Sequence, residues 1–276
     1  MPRYSQRCLT FILLFLSAAT LALSQGLYWE STTVVPMSGK ERHAKNYYMP
    51  KMIKVVSDDR DDYTIIRLDK QEFITVNDKD KTYSETAFSD MEDAVKKATG
   101  KMNERLAQMQ EQLKSMPEEQ RKMMQSMLDK TMSLSSADST FQVVTGSEKK
   151  TISGFSCSQY LLKQGDKDLA TFWTTNDLKG YKDMGNDLKD FGARLASLNP
   201  RNGSALANGS RKIDGFPVET DMGGFTMTVI KAEPATTPAA QFDVPSGYKK
   251  IDSPLIERLN SMDRRGGRQR QGGDNN

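Results

Sequence analysis

Short segments with apolar residues at every second position alternate along this chain with longer segments in which apolar residues recur every three or four positions. The first pattern, with turn residues between segments, is typical of antiparallel β-strands, and the second is typical of amphipathic helices. Residues 39–46, which contain His43, are predicted to form a charged loop. Predicted strands cover residues 26–38, 52–56, 63–68, 72–76 and 82–83, and then residues 141–145, 154–164, 169–175, 216–222 and 225–231.

A long helical segment, residues 89–134, separates the two groups of strands. Pro117 lies inside it, and because proline has no N–H and clashes with the preceding turn, it disfavours a helix interior. The segment is therefore predicted to form two helices, or one sharply kinked helix, joined near residues 115–117. Two rows of mainly apolar residues recur along it at seven-residue intervals. One row contains Met102, Met109, Met116 and Met123, and the other contains Leu106, Leu113, Met127 and Leu134, with Gln120 interrupting it.

Two further helices are predicted nearer the C-terminus. Asn176 or Asp177 is a suitable N-cap for a helix whose apolar residues recur at spacings of three and four. These residues are Leu188, Phe191, Leu195 and Leu198. Residues 251–276 are predicted to form a terminal helix over 251–262 and then a disordered basic tail, because the last residues are rich in arginine and glycine.

The N-terminal 24 residues have the pattern of an export signal. Arg3 and Arg7 precede a nearly continuous apolar run over residues 9–23, and Ala22 and Ser24 provide a small-x-small cleavage site. A retained anchor is the alternative, but the run is shorter than the roughly 20 residues that a spanning helix needs. We therefore expect cleavage near Ser24, a periplasmic or extracellular location, and no stable transmembrane anchor afterwards.

Charge and cysteine content narrow the function classes. The formal net charge is +3, and loss of Arg3 and Arg7 reduces it to +1, so no general affinity for nucleic acid is expected. Cys157 is the only cysteine left after cleavage, which excludes an intrachain disulfide. Packing must therefore stabilise the exported chain, and no cofactor is implied by any motif.

Five short phrases stand in order along the chain: YWE from Tyr28, ISGFSCSQY from Ile152, FWT from Phe172, GFPV from Gly215 and FDVPSGY from Phe242. Taken together, they resemble an exported bacterial family that is classified as a domain of unknown function (DUF4412). That family is similar to the periplasmic lipoprotein-carrier superfamily. The resemblance implies an α+β fold, in which a curved antiparallel sheet forms an incomplete barrel with helices over its concave face. It also implies that acyl chains or other apolar ligands bind at the concave face. It implies one carrier-like domain over residues 25–250, with residues 89–134 inserted between the two sheet halves, and it brings no catalytic residues.

The seven-residue rows allow four interpretations. Flexible, polarisable methionines suit a lid over a variable apolar ligand, and rows at this spacing also suit a coiled-coil contact with a protein partner or a second copy. Thioethers can bind reduced copper, for which Met123, Met124 and Met127 would be the ligands. The fourth interpretation is a helix that packs on its own sheet. The residues predicted to face a ligand or partner are Met102, Leu106, Met109, Leu113, Met116, Met123 and Met127.

Catalytic and metal-binding alternatives are weaker. Cys157 as a nucleophile would need His43, the single histidine, as its base. Alternation places Phe155 and Leu161 on the face of Cys157, and these apolar neighbours favour a buried residue instead. The aspartates of residues 58–62 lack the ordered spacing of a calcium loop and favour a turn. We therefore expect no metal site. We expect a non-catalytic binding protein for a lipid, acyl chain or other apolar ligand. The alternative is an interaction or envelope structural protein that uses the methionine helix.

Overall fold

The computed structural model describes residues 26–36, 39–114, 117–122, 141–197 and 212–265. Six strands precede the helical segment, and they are separated by short turns rich in Asp, Asn, Lys and Gly. Their bounds are β1 (Gly26–Val35), β2 (Lys40–Met49), β3 (Met52–Ser57), β4 (Asp62–Arg67), β5 (Glu72–Asn77) and β6 (Thr82–Ala87).

Six more strands follow the helical segment and complete a single twelve-stranded sheet. Their bounds are β7 (Phe141–Ile152), β8 (Phe155–Gln164), β9 (Lys167–Thr175), β10 (Phe216–Asp221), β11 (Thr226–Ala235) and β12 (Lys249–Lys250). The strand order is β12-β6-β5-β4-β3-β2-β1-β11-β10-β9-β8-β7, and the two end strands do not pair with each other. The sheet is therefore unclosed.

The first strand lies at the centre of this sheet. β1 pairs with β2 on one side and with β11 on the other, so it joins the half before the helical segment to the half after it. Among the described strands every pairing is antiparallel except that of β12 with β6. Contacts across β1 thus bring together residues some 200 positions apart in sequence, such as Thr32 and Thr228.

Three longer α-helices, a single helical turn and a short 3-10 helix accompany the sheet in the described residues. The longer helices are α1 (Phe88–Lys114), α2 (Tyr181–Ser197) and α3 (Pro254–Arg265), and the 3-10 helix is Ala239–Phe242. α1 ends at Lys114 and a separate helical turn spans residues 118–122, with the amide of Arg121 donating to the Pro117 carbonyl at 2.9 Å. This agrees with the break in the helix predicted from Pro117.

The helices pack on one face of the sheet, which we call the helix-covered face. On its central strands this face carries Leu27, Trp29 and Ser31 of β1, which pair with Tyr48, Asn46 and Ala44 of β2. Leu27 and Tyr48 are fully buried there in one apolar cluster with Phe216, Val229 and the α2 residues Tyr181 and Met184.

The opposite face is covered by the chain that follows β11. Phe242, at the end of the 3-10 helix, is completely buried against Tyr63, Ile65, Ile74 and Val76 of β4 and β5. The first half of the sheet therefore has an apolar core on both of its faces.

The predicted α+β fold is confirmed: a curved, unclosed antiparallel sheet carries helices over one face, and α1 separates its two halves. The predicted loop over residues 39–46 is wrong, because these residues belong to β2. The first half of β2 is exposed and charged, whereas Asn46 and Tyr48 in its second half are buried. Residues 1–24, 123–134 and 266–276, which were predicted as signal, helix and disordered tail, lie outside the described residues.

Candidate functional site

α2 lies across the centre of the helix-covered face. Its apolar residues Tyr181, Met184, Leu188 and Phe191 follow the three- and four-residue spacing of one helix stripe, so one side of the helix faces the sheet. Tyr181 and Met184 reach the core cluster, with 8% and 4% of their surface exposed. The N-terminal half of α2 is thereby fixed above β1, β2, β10 and β11.

A cavity of about 450 Å³ lies between this half of α2 and the sheet. Small-molecule sites in proteins span about 300–1,000 Å³ and are mostly apolar, so both the size and the lining of this cavity fit such a site. The rings of Trp29 and Phe216 meet edge to face in its wall, with centroids 5.9 Å apart. The other apolar lining residues are Tyr181, Met184, Leu188, Ile213, Pro217, Met227 and Val229.

Two polar residues lie on the sheet side of the cavity. Ser31 and Asn46 are 5% and 6% exposed, and Asn46 Nδ2 lies 3.2 Å from Ser31 Oγ. Asn46 Nδ2 also faces the carbonyl oxygens of Trp29 and Ala44, at 3.3 and 3.4 Å. We call Ser31 and Asn46 the polar floor. The lining also includes three charged residues. Lys182 and Lys189 belong to α2, and Asp214 lies in the segment before β10.

Two glycines determine how the cavity walls are built. Gly185 lies inside α2, and a Cβ atom added there would meet nothing within 4 Å, so the helix leaves open space at this position. Gly215 has a φ of +94°, and a Cβ added there would lie 2.8 Å from Thr174 Oγ1 and 2.9 Å from the Thr175 carbonyl oxygen. Only glycine allows this backbone to approach β9 so closely.

Asp187 attaches α2 to the turn between β2 and β3. Its Oδ2 accepts hydrogen bonds from Tyr48 Oη at 2.9 Å and from the Lys51 amide at 2.8 Å, and its Oδ1 pairs with Lys51 Nζ at 2.6 Å. Lys51 takes a φ of +66°, a left-handed conformation that is unusual for a residue with a side chain. The carboxylate therefore holds both the helix and a strained turn in place.

The environment of Asp187 shifts the protonation of both partners. Burial on its own disfavours the Asp187 carboxylate, but the hydrogen bonds from Lys51 and Tyr48 outweigh that effect and hold the pKa of Asp187 below its ordinary value of 3.8. Burial, and then the hydrogen bond to Asp187, raise the pKa of the Tyr48 hydroxyl. At neutral pH Asp187 is therefore an ionised acceptor and Tyr48 is a neutral donor. These protonation states stabilise the hydrogen bond between the two side chains.

Beyond Asp187, the C-terminal half of α2 borders a separate, smaller cavity of about 290 Å³. Phe73, Phe88 and Phe191 form an aromatic cluster with centroids 4.8–5.7 Å apart. Arg194 pairs with Glu92 of α1, and its Nη1 donates to Gln71 Oε1 at 2.7 Å. The larger cavity is therefore confined to the N-terminal half of α2.

Another cavity, of about 430 Å³, lies beside α3 and has a different character. Its lining includes the charged residues Glu85, Asp90, Lys250, Asp252 and Glu257. An apolar ligand there would remove water from these charged groups, and the only apolar residues of the lining that it would contact are Ile251 and Ile256. The cavity under α2 is the better candidate site.

The residues predicted to face a ligand or partner lie on or after α1, away from the α2 cavity wherever they are described. Met109 is 41% exposed, and Leu113, four residues later, is only 3% exposed. Met102 and Leu106 belong to α1, but their side chains are outside the described part of the chain. Met116, Met123 and Met127 also lie outside it, so the role of the methionine rows stays a prediction.

Cys157 and His43 are held by other partners. Cys157 is 1% exposed in the core cluster, its Sγ lies 3.4 Å from the Phe155 carbonyl oxygen, and burial raises the pKa of its thiol. His43 Nδ1 lies 3.0 Å from Thr32 Oγ1. Within the described residues no group of three or more His, Cys, Asp or Glu side chains could hold a metal ion, and no helix there is long and apolar enough to cross a membrane.

The cavity was missed by reasoning from sequence because its walls come from distant strands. Two signals could have indicated it. Gly185 interrupts a helical pattern, where a glycine often has a packing or functional reason. Asn46 is a polar residue in a strand position that points to the core, beside Tyr48 two residues on.

Two solved structures resemble the chain at low similarity. One is PNGF-II in a C2 crystal form, with 10% identity and a TM-score of 0.37 over 86% of this chain and 32% of that one. The other is MucB in complex with MucA(peri), with 7% identity and a TM-score of 0.35 over 82% of this chain and 57% of that one. The chain thus spans about a third of the first and just over half of the second. At these TM-scores neither likeness assigns a function.

No curated protein matches the chain, but a family model does. The match covers residues 89–248, from the first turn of α1 to the segment after the 3-10 helix. It includes four of the five phrases on which the resemblance was based, while the Tyr28 phrase and β1 to β6 precede it. The chain belongs to DUF4412, a family described as a domain of unknown function.

Proposed function

We propose that this protein is an exported, non-catalytic binding protein that holds an apolar ligand, such as a lipid or acyl chain, in the cavity between α2 and the sheet. The observation that carries the proposal is that cavity: about 450 Å³, lined mainly by aromatic, aliphatic and methionine side chains. Transfer of apolar surface from water into such a lining is favourable by about 25 cal/mol per Å². An unbranched chain can therefore bind there without any specific reaction chemistry.

The polarity around the cavity supports an amphipathic ligand. Lys182 and Lys189 are seven residues apart on α2, which places them on the same side of the helix, and both are exposed. Their ammonium groups suit an anionic head group such as a carboxylate or phosphate. A ligand with its chain against Trp29 and Phe216 could thus keep its charged end near the helix surface.

A leucine at position 185 is expected to block the cavity. Because a Cβ at Gly185 meets nothing within 4 Å, Gly185→Leu places its side chain in open space that a ligand would occupy. Replacing glycine inside a helix also favours folding by about 1 kcal/mol. We expect the affinity for the fluorescent fatty acid cis-parinaric acid to fall about tenfold or more, measured by fluorescence titration.

Gly192→Leu provides the matched control. Gly192 lies on the same helix, has the same open space at its Cβ, and does not line the cavity. It should give a similar gain in helix stability while the affinity stays within about twofold of the parent protein. If both variants bind the probe as the parent protein does, the α2 cavity is not the binding site.

A second candidate function is an interaction protein that uses α1. The exposure of Met109 at 41% favours it, since a large apolar side chain on a helix surface suits a protein contact. Native mass spectrometry of protein purified from its own host distinguishes the two candidates. A monomer carrying acyl species supports the binding protein, and a ligand-free dimer that Met109→Glu disrupts supports the interaction protein.

A further inference from the structure

The polar floor contains a buried hydrogen-bond acceptor to which no residue in the described part of the chain donates. Three groups lie within 3.4 Å of Asn46 Nδ2: the Trp29 carbonyl, the Ala44 carbonyl and Ser31 Oγ. Carbonyl oxygens only accept, so the amide nitrogen must face them and Asn46 Oδ1 must face away from them. Asn46 is only 6% exposed, and yet no group within the described residues donates a hydrogen bond to its Oδ1.

An amide oxygen in this position needs a donor from the cavity. Buried polar atoms almost always have a hydrogen-bond partner, because the loss of water without a replacement bond is costly. Asn46 and Ser31 both line the α2 cavity, so a molecule bound there can supply the missing bond. The partner must donate, which excludes a carboxylate, an ester or an ether as the group that reaches Oδ1.

We propose that the ligand of the α2 cavity carries a hydroxyl group on the part that reaches the polar floor, so that it is a hydroxylated apolar molecule such as a long-chain alcohol. The inference rests on the proposed function and specifies the ligand of the same site. A hydroxyl donates to Asn46 Oδ1 and accepts from the Ser31 hydroxyl, whose oxygen already accepts from Asn46 Nδ2. An ammonium group would also donate, but its charge would lose its hydration against the surrounding Trp29 and Phe216 rings.

Two isomeric probes test this inference on the unmodified protein. n-Undecanol and decyl methyl ether have the same atoms and a similar length, but only the alcohol can donate a hydrogen bond. We expect isothermal titration calorimetry to give an affinity about tenfold or more higher for the alcohol, because the ether leaves Oδ1 buried without a donor. Asn46→Leu, which removes the acceptor, should abolish this preference, so that the variant binds the two probes with affinities within about twofold of each other.

The outcomes separate this inference from the proposal on which it rests. If the parent protein binds both probes with equal affinity, the hydroxyl is not recognised and an ordered water is the donor to Oδ1. That result overturns the inference but leaves the proposed binding function in place. If neither probe binds, both are overturned. Thermal unfolding followed by circular dichroism checks that Asn46→Leu is folded, and the comparison on the parent protein holds even if that variant is not.

Discussion

Replacement of Phe242 by alanine is expected to lower the free energy of unfolding by about 3–5 kcal/mol. Phe242 is completely buried in the cluster on the face of the sheet opposite the helices, together with Tyr63, Ile65 and Val76. Removal of the ring loses its transfer free energy and leaves a cavity that the paired strands cannot collapse to fill. Single domains have about 5–15 kcal/mol of stability in total, so this loss would be a large fraction of it.

The matched control is Phe225→Ala, which makes the same chemical change at a site that is 37% exposed, just before β11. Urea denaturation should show a loss of about 1 kcal/mol or less for this variant. Hydrogen exchange should in addition become faster in β4 and β5 of the Phe242→Ala protein, because those strands lose their cover. Equal losses for the two variants would mean that the segment after β11 does not form a core with the sheet.

Replacement of Asp187 by alanine is expected to cost about 2–4 kcal/mol at neutral pH. The variant leaves the Tyr48 hydroxyl without its acceptor in a side chain that is only 1% exposed, and it also removes the acceptor of the Lys51 amide. Asp183→Ala on the same helix is the control, since Asp183 is exposed in the first turn, where a carboxylate interacts with the helix dipole by about 0.3–1 kcal/mol.

The contribution of Asp187 should also depend on pH in a defined direction. The folded state holds its pKa below the ordinary value of 3.8, so ionisation favours folding above that pH. The contribution is lost as the pH falls below 3.8 and through the lower folded-state pKa. Urea denaturation at several pH values should therefore show the difference between parent protein and Asp187→Ala narrowing below about pH 4. A difference that is constant between pH 7 and pH 3 would show that the carboxylate charge does not stabilise this contact.

Local patterns were sufficient to predict most of the strands. β3, β4 and β5 are short runs rich in β-branched and aromatic residues between turns, and their observed bounds lie within about two residues of the predicted ones. β2 was missed because Lys40, Glu41 and Arg42 resemble a loop. These residues can be charged because this end of the strand is exposed, while the alternation of buried residues starts only at Asn46.

The covering of β8 on its two faces limited the prediction of which of its residues are buried. Alternation in β8 placed Leu161 on the face of Cys157, but the buried residue is Leu162, which is 1% exposed. The pairing of β8 with β9 is continuous from Ser158 to Leu162 and shifts only between Leu162 and Lys163, so Leu162 lies on the opposite face of the strand from Cys157. Which face is covered depends on the neighbouring elements, so the sequence of one strand alone does not reveal it.

The candidate site depends on the order of strands in the sheet. For this reason the sequence predicted ligand-facing residues in the methionine rows and not in the α2 cavity. Trp29, Asn46 and Phe216 come from β1, β2 and β10, which meet only because β1 pairs with β11 as well as β2. No local pattern predicts that non-local pairing. α2 was predicted as a helix from its apolar spacing, but the open space beneath Gly185 follows from its position above four strands.

Quenching of Trp29 fluorescence by a brominated acyl chain tests most directly whether the α2 cavity binds an apolar ligand. The chain has two tryptophans, so Trp173→Phe leaves Trp29, in the cavity wall, as the single reporter. Bromine quenches tryptophan only at contact distance, and unbrominated stearic acid controls for indirect effects. We predict saturable quenching of Trp29 by dibrominated stearic acid, none by stearic acid, and little in a Trp29→Phe protein, where Trp173 reports from outside the cavity. Trp29 emission that does not change with the brominated chain, in a protein shown to be folded, would contradict ligand binding at this site.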